Sequence, residues 1–283
     1  MLISIIIPSY NRSHTLSGTI KSVLQQSDGN WELIIVDDGS LDSTSEVVQK
    51  YLGDGRVKYY FQDHSGVSAA RNYGASLAKG NYLIFLDSDD QLYPDLIKHL
   101  KLINYSDYDF INWQVRKLKG DNEVEIWKPA KLEKIYNHIT ASFLAGSICY
   151  RKEIFQKAGG YDSKMKFGEN YELGLRIAQI NGLKTKILDK VYLDYFLKSA
   201  KRQSADIEAK IQSNQHLYRK HRQLYLKDSL SHGRLIYLFG YLYQQKGNKE
   251  IAYEYYKKAW KINPMYLKPM LKVSYLKLSF LIR

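Results

Sequence analysis

Three short apolar runs in the first third of the chain, residues 2–7 (LISIII), 31–36 (WELIIV) and 81–86 (NYLIFL), each break off abruptly into polar residues. Each is rich in β-branched side chains and predicts a strand, and each is followed by a helical segment. That alternation is expected of a parallel sheet covered by helices. In such sheets ligands bind beyond the carboxyl ends of the strands. The polar residues after the three runs are Pro8 to Arg12, Asp37 to Ser40 and Asp87 to Asp90. They are therefore predicted to face one crevice, although they lie about 80 positions apart in sequence.

The third run ends in three acids within four positions, Asp87, Asp89 and Asp90. Crowded carboxylates repel one another and lose hydration, so they persist mainly where a divalent cation and oxygen ligands neutralise them. A metal-bound phosphate suits such a place. The alternative is a solvated acidic turn ahead of a helix that Pro94 would start from its first turn.

At 283 residues the chain can hold one large α/β domain and a small appendage. Its hydrophobic share of 45% and charged share of 25% exclude extensive disorder. The single Cys149 excludes an internal disulfide and a thiolate metal site, in keeping with a reducing cytosol. Met1 leads straight into the first strand, with no signal-like segment, and no apolar stretch is long enough to span a bilayer. Charge is uneven. Residues 206–283 hold 15 Lys and Arg against 5 Asp and Glu, a surplus of +10 out of a total of +13. A basic surplus at one end predicts an anionic partner there, lipid headgroups or nucleic acid.

Four ordered blocks carry a family resemblance: IIIPSYNR at 5–12, VDDGSLDST at 36–44, GVSAARNYGASLAKGNYLIFLDSDD at 66–90 and GGYDSKMKFGENYELGLRIA at 159–178. Together they resemble the inverting family 2 glycosyltransferases over roughly residues 1–200. The resemblance implies an α/β fold of the GT-A type, a Rossmann-like and mostly parallel sheet flanked by helices. It also implies a nucleotide-sugar donor, most often a UDP-sugar, and a divalent metal, Mn2+ or Mg2+. By resemblance, Asp89 is the metal ligand and Asp87 assists at the metal or the ribose. Asp37 and Asp38 are expected to accept hydrogen bonds from base and ribose, and Pro8 and Tyr10 to shape the base pocket. Asn11, Arg12 and Ser88 are further donor-site candidates. Arg71, in a helix predicted over 67–78 with Ser65 as its N-cap, is expected near the nucleotide, where a guanidinium matches phosphate or uracil oxygens. The bland reading of Arg71 is a solvated surface residue, and of Gly74 a site of close helix packing.

Two departures from the family pattern stand out. The catalytic base is usually the Asp of a Glu-Asp pair that opens a helix, and here the pair is Glu169 and Asn170. A carboxamide accepts no proton at neutral pH, and loss of a general base typically costs about 10²- to 10⁴-fold in rate. Glu169 is the preferred substitute. Glu172, one turn on, is the other candidate, and its structural role would be a partner for Arg176 four residues further along. Other accounts are an acceptor that brings its own acid, or a weak or dead enzyme. The second departure is at 195–206 (YFLKSAKRQSAD), where many relatives place a histidine near the diphosphate. Here Lys198, Lys201 and Arg202 either close over the phosphates or form a solvated basic loop. His14, His64 and His138 show no ligand spacing and read as surface or packed residues.

Beyond about residue 205 the pattern changes to long helical stretches dense in Tyr, Lys and Gln, read as an all-α accessory module over 206–283. Within 235–264, Gly240, Tyr243, Gly247, Ala252, Tyr256, Ala259 and Pro264 fall at the spacings of one tetratricopeptide-like repeat. The small residues Gly240, Ala252 and Ala259 would let two helices approach closely. The final segment, 265–283, mixes large apolar residues with Lys272, Lys277 and Arg283 and contains no acid. It reads either as a peripheral helix on an anionic membrane or as a helix packed in the module or in a homo-oligomer. The expectation is thus a cytoplasmic transferase, peripheral at the inner face of the membrane. Its acceptor would be a glycan or a lipid-linked sugar in polysaccharide assembly. One rival is a nucleotide-sugar-binding scaffold derived from such an enzyme. The other, nucleic-acid binding through the basic tail, lacks any motif to support it.

Overall fold

The structure is a computed structural model that describes residues 2–120, 122–197 and 206–281. The chain divides into two compact units. The first holds the described residues up to 131, then 139–163 and 169–197; the second holds 132–138, 164–168 and 206–281.

The first unit is built on a mixed sheet. Its parallel half comprises β1 (Ile3–Ser9), β2 (Trp31–Asp37), β3 (Val57–Phe61) and β4 (Tyr82–Phe85), in the order β3-β2-β1-β4. Register pairs Ser9 with Asp37 and Ile6 with Phe85, so the carboxyl ends of β1, β2 and β4 share one edge. β1 and β2 are buried along their whole length, as expected of strands covered on both faces. β5 (Gln91–Leu92), β6 (Phe110–Lys119), β10 (Ile148–Arg151) and β11 (Thr185–Phe196) continue the sheet as β10-β6-β11-β5. β10 runs antiparallel to both β4 and β6, whereas β11 runs parallel to β6. β7 (Asn122–Trp127) pairs with β6, and β8 (Ala130–Lys131) with β9 (Thr140–Ala141).

Helices α1 (Leu16–Leu24), α2 (Thr44–Gln49), α3 (Val67–Leu77), α4 (Leu96–Leu102), α5 (Lys152–Lys157) and α6 (Glu169–Ile177) accompany the strands. α3 lies against β1 and β2 at Gly74, where a Cβ would come within 2.5 Å of Ile6 Cγ2 and 3.2 Å of Val36 Cγ2. Only a glycine lets the helix come this close, and the close approach carries Arg71, one turn earlier, to the carboxyl edge of the sheet. The helix is capped differently from the sequence expectation. Gly66, with φ of 92°, is the N-cap residue, and the Ser65 hydroxyl instead donates to the Asp63 carbonyl at 2.8 Å. The strongest acceptor within reach, Asp38, takes the backbone N–H groups of both Ser65 and Gly66.

The second unit consists of α7 (Ile207–Lys220), α8 (Arg222–Leu226), α9 (Ser229–Gln245), α10 (Lys249–Ile262) and α11 (Leu267–Leu281). The segment 132–138 belongs to it because Glu133 accepts from Ser231 Oγ at 2.8 Å and from Arg234. The segment 164–168 joins it through the Lys166 N–H, which donates to Ser213 Oγ at 3.1 Å. α9 and α10 pack with Gly240 against Tyr256, where an added Cβ would sit 2.7 Å from the ring. The boundary expected near 205 falls outside the described residues.

Candidate active site

At the end of β4, the Asp87 side chain meets Arg71 from α3. Arg71 Nη2 donates to Asp87 Oδ1 at 2.7 Å, and Nη1 donates to Glu169 Oε1, in the first turn of α6, at 2.9 Å. Three distant segments are thereby joined by one guanidinium that is only 2% exposed. The solvated-surface reading of Arg71 is excluded. Its ring neighbour is Tyr161, whose centroid lies 5.0 Å from the guanidinium carbon. Burial disfavours the charge on Arg71, but Asp87 and then Glu169 outweigh it, so its affinity for the proton is raised. Burial also pushes the Asp87 carboxyl up, with the Asp89 and Glu169 charges adding to the rise and Arg71 opposing it.

Tyr161 is itself pinned from α3. Asn72 Nδ2 donates to its carbonyl and its N–H donates to Asn72 Oδ1, both at 2.8 Å. From this position the Tyr161 hydroxyl donates to Asn170 Oδ1 at 2.9 Å, and Asn170 Nδ2 in turn donates to Glu169 Oε1 at 3.3 Å. Burial raises the pKa of the Tyr161 hydroxyl, which suits a donor. Among the described residues, only Oε1 of Glu169 is engaged, leaving Oε2. Glu172 is different. It is completely buried, and Arg176 donates to Oε1 from Nε at 2.9 Å and to Oε2 from Nη2 at 2.6 Å. The same arginine donates to the carbonyls of Ala158 and Gly160. These contacts are those of a brace that holds the loop before Tyr161, and they leave Glu172 poorly placed for proton transfer.

Asp37 and Asp38, at the end of β2, are only 1% and 2% exposed. Asp37 accepts from the Ser40 N–H at 2.8 Å and the Tyr59 hydroxyl at 2.7 Å. Asp38 accepts from Gln62 Nε2 at 2.6 Å, the Ser65 N–H at 2.9 Å and the Gly66 N–H at 2.8 Å. His64 Nδ1 lies 2.9 Å from Asp38 Oδ2, and its ring stacks on Tyr10 with centroids 4.2 Å apart. Pro8 is buried in β1. Asn11 has φ of 52°, a conformation asparagine tolerates, and exchanges bonds with the next loop. Its N–H donates to Ser40 Oγ at 2.9 Å, and its Oδ1 accepts from the Leu41 N–H at 2.8 Å. The Arg12 N–H donates to Thr44 Oγ1 at 3.0 Å. Asp42, exposed but accepting from the N–H groups of Ser13 and Thr44, ties these loops; desolvation raises its pKa, but the hydrogen bonds outweigh it and bring the value down to about 2.

Ser88 is buried between Asp87 and Asp89. Among the described residues no group of three or more His, Cys, Asp and Glu side chains is arranged for a metal. The two carboxylates at 87 and 89 nevertheless suit a hard cation that takes its other ligands from phosphate and water, the usual mode for Mg2+. Asp87 Oδ2 is unengaged among the described residues, and the repulsion from Asp89 is of the kind a divalent cation relieves. Lys198, Lys201 and Arg202 lie outside the described residues.

Sequence reasoning named Arg71, Asp87 and Glu169 as separate candidates, which the structure joins, read His64 as a surface or packed residue, and missed Tyr161, Asn72, Gln62 and Asp42. Tyr161 lies within the family-like stretch 159–178, and the signal was its position between the glycine pair Gly159–Gly160 and the Glu169 helix. Asn72 lies in α3 and Gln62, His64 and Asp42 in loops, and their partners Tyr161, Asp38 and Ser13 are 24 or more positions away, where no local spacing reveals them.

The sheet order and the acid-arginine cluster at its carboxyl edge are those of a GT-A domain of nucleotide-sugar-transferase type. The sequence profile of glycosyl transferase family 2 matches residues 4–192, and the chain belongs to that family. Among curated relatives, the putative teichuronic acid biosynthesis glycosyltransferase TuaG of Bacillus subtilis is 43% identical over 99 residues, 34% of this chain and 39% of that one. The UDP-Glc:alpha-D-GlcNAc-diphosphoundecaprenol beta-1,3-glucosyltransferase WfgD of Escherichia coli is 38% identical over 120 residues, 39% of this chain and 47% of that one. The chain spans between 19% and 60% of the length of two Rickettsia relatives that it also matches. Among solved structures, S. aureus TarS 1-349 in complex with UDP-GlcNAc superposes with a TM-score of 0.66 at 18% identity. That match covers 99% of this chain and 91% of TarS 1-349 and establishes the shared fold.

Proposed function

We propose that the chain transfers a sugar, with inversion, from a UDP-sugar to a glycan or lipid-linked acceptor in cell-surface polysaccharide assembly. The observation that carries this is the buried Arg71 joining Asp87 to Glu169 at the carboxyl edge of the sheet. The names of WfgD and of the TarS complex, which specify UDP-activated donors, support uridine as the nucleotide. Asp37, Asp38, Pro8 and Tyr10 would frame base and ribose, with Asn11, Arg12 and Ser88 beside them. Asp89 and Asp87 would hold Mn2+ or Mg2+, which when bound stabilises the charge of the leaving diphosphate.

In the reaction the acceptor oxygen attacks the anomeric carbon as the bond from that carbon to the diphosphate oxygen breaks on the opposite face. Glu169 accepts the acceptor's proton through Oε2, the oxygen not held by Arg71 and Asn170. Arg71 fixes the orientation of that carboxylate, and Tyr161 fixes Asn170. A lipid-linked acceptor would place the enzyme at the inner face of the cytoplasmic membrane. The replacement of the usual Asp by Asn170 favours a second reading, a weak or inactive nucleotide-sugar-binding scaffold.

Calorimetric titration with UDP, with and without manganese, tests the donor site, with Asp89→Ala as control. Metal-dependent binding that the variant loses is expected. Silence with UDP, GDP and dTDP alike would overturn the reading. Binding without multiple-turnover transfer from any of a panel of UDP-sugars would select the scaffold.

A further inference from the structure

Helix α11 has two apolar faces, and only one is used inside the second unit. Leu276 is completely buried in a cluster with Ala252 and Tyr256 of α10, flanked by Val273. Phe280 meets Tyr253 edge-on at 5.8 Å. These contacts fix which side of α11 faces inward. At about 100° per residue, Leu267, Leu271, Tyr275 and Leu278 form a second stripe on the opposite side. Each is 58–63% exposed, and Met265, just before the helix, is 89% exposed. A packed helix in a monomer seldom leaves four large apolar side chains in one exposed row.

The charges around the stripe are as ordered as the stripe itself. On the same helical projection Lys268 and Lys272 border it on one side and Lys277 on the other. α11 contains no acid, and among the described residues none of the three lysines has a carboxylate partner. An apolar row edged by unpaired lysines is the pattern of a helix lying in a bilayer interface. Leucines and a tyrosine enter the acyl boundary while lysine stems extend along it and place their ammonium groups among anionic headgroups. An interface with a second protein would favour compensating acids at its rim, and α11 offers none. No helix among the described residues is long and apolar enough to cross a membrane, so the contact would be peripheral.

We propose that α11 docks on an anionic lipid bilayer through Leu267, Leu271, Tyr275 and Leu278, with Lys268, Lys272 and Lys277 reading the headgroup charge. Two signals, apolar insertion and charge, act together, because either alone gives only marginal and reversible binding. The surface is defined by the second unit alone. The proposal therefore stands or falls separately from the transfer reaction.

The test is co-sedimentation of the full chain with phosphatidylglycerol–phosphatidylcholine vesicles and with phosphatidylcholine vesicles. Three proteins are compared: the wild type, Leu271→Glu with Leu278→Glu, and the triple Lys268→Gln, Lys272→Gln, Lys277→Gln. Leu271, Leu278, Lys268 and Lys277 are exposed and Lys272 is half-buried at the edge of the stripe, none of them inside the packed cluster, so circular dichroism and melting should be unchanged. The wild type is expected to pellet with the anionic vesicles and far less with the neutral ones. Each variant should lose about tenfold or more of that binding, and added salt should release the wild type. A wild type that stays in the supernatant with anionic vesicles overturns the proposal, as does binding that both variants retain. Sedimentation velocity provides a further arm: a dimer that the Glu variant breaks, with no vesicle binding, would assign the stripe to a second copy of the chain.

Discussion

The Tyr161 hydroxyl donates to Asn170 Oδ1 at 2.9 Å, so the residue that by resemblance stands where the family usually carries its catalytic aspartate is held by a buried donor. An aspartate there would accept the same bond without rearrangement. It would also stand beside Glu169, whose Oε1 is now 3.3 Å from Asn170 Nδ2, and the repulsion between two carboxylates would raise the basicity of one. Asn170→Asp is therefore expected to increase sugar transfer severalfold or more, toward the range of about 10²- to 10⁴-fold typical of a general base. Adding Tyr161→Phe should remove part of that gain. Steady-state transfer with the preferred UDP-sugar measures both, and an unchanged or lower rate for Asn170→Asp would show that residue 170 is not at the base position.

Removing Arg71 should be costly. Arg71→Ala leaves Asp87 and Glu169 facing each other without a cation in a largely desolvated place. Breaking a fully buried pair costs about 3–5 kcal/mol, and because Asp87 keeps a third of its side-chain surface the expected loss is about 2–4 kcal/mol. Arg71→Lys should recover only part, because a lysine cannot bridge two carboxylates with a planar fork. Urea unfolding of the three proteins decides it; equal midpoints would mean that the two acids find other compensation.

What could be read from the sequence follows from where the information lies. β1, β2 and β4 were legible because strands buried on both faces are continuous apolar runs, and the chemistry at their ends followed from the rule for parallel sheets. β3 (VKYYF) and β6 (FINWQVRKLK) gave no such signal. They interleave polar and aromatic residues, and β6 owes its place to pairing with β10 and β11, which come much later in the chain. The cation that the acids at 87–90 called for was partly visible too. Arg71 supplies one positive charge to Asp87, which a reading limited to neighbouring residues cannot show. Glu172 was legible as a partner for Arg176, since a spacing of four residues is local. Its complete burial was not, because burial depends on distant parts of the unit closing around α6, as Phe143 does against Gly174.

Asp42 gives a pH dependence of definite sign. Its folded-state pKa is lowered to about 2: desolvation raises it, and the side-chain and backbone donors of Thr44 and Ser13 outweigh that rise. A depressed carboxylate adds stability that is present above its unfolded pKa and lost as pH falls through the folded value, here between about pH 4 and pH 2. Asp42→Asn should therefore lower stability at neutral pH and flatten the acid limb in that window. Melting temperatures of both proteins across the acid range test this, and parallel curves would remove Asp42 from the acid response.

Gly74→Ala should destabilise the first unit although alanine is the better helix former. The substitution gains about 1 kcal/mol in helix propensity. Against that, the new methyl would stand 2.5 Å from Ile6 Cγ2 and 3.2 Å from Val36 Cγ2. Both side chains are completely buried in the sheet, so neither can swing away. Overpacking of this kind costs about 1–3 kcal/mol, and with Ile6 and Val36 both completely buried the balance is a net loss of up to about 2 kcal/mol. The mechanism can be isolated with Ile6→Ala, which alone leaves a cavity and costs about 2–5 kcal/mol. In the double variant the methyl at 74 enters the space that Ile6 vacates, so the combined loss should be smaller than the sum of the two single losses. A coupling of about 1 kcal/mol or more in that cycle would assign the effect to the contact itself. Strict additivity would mean that α3 lifts off the sheet as a body, and then Arg71, one turn away, should lose its bond to Asp87 and nucleotide binding with it.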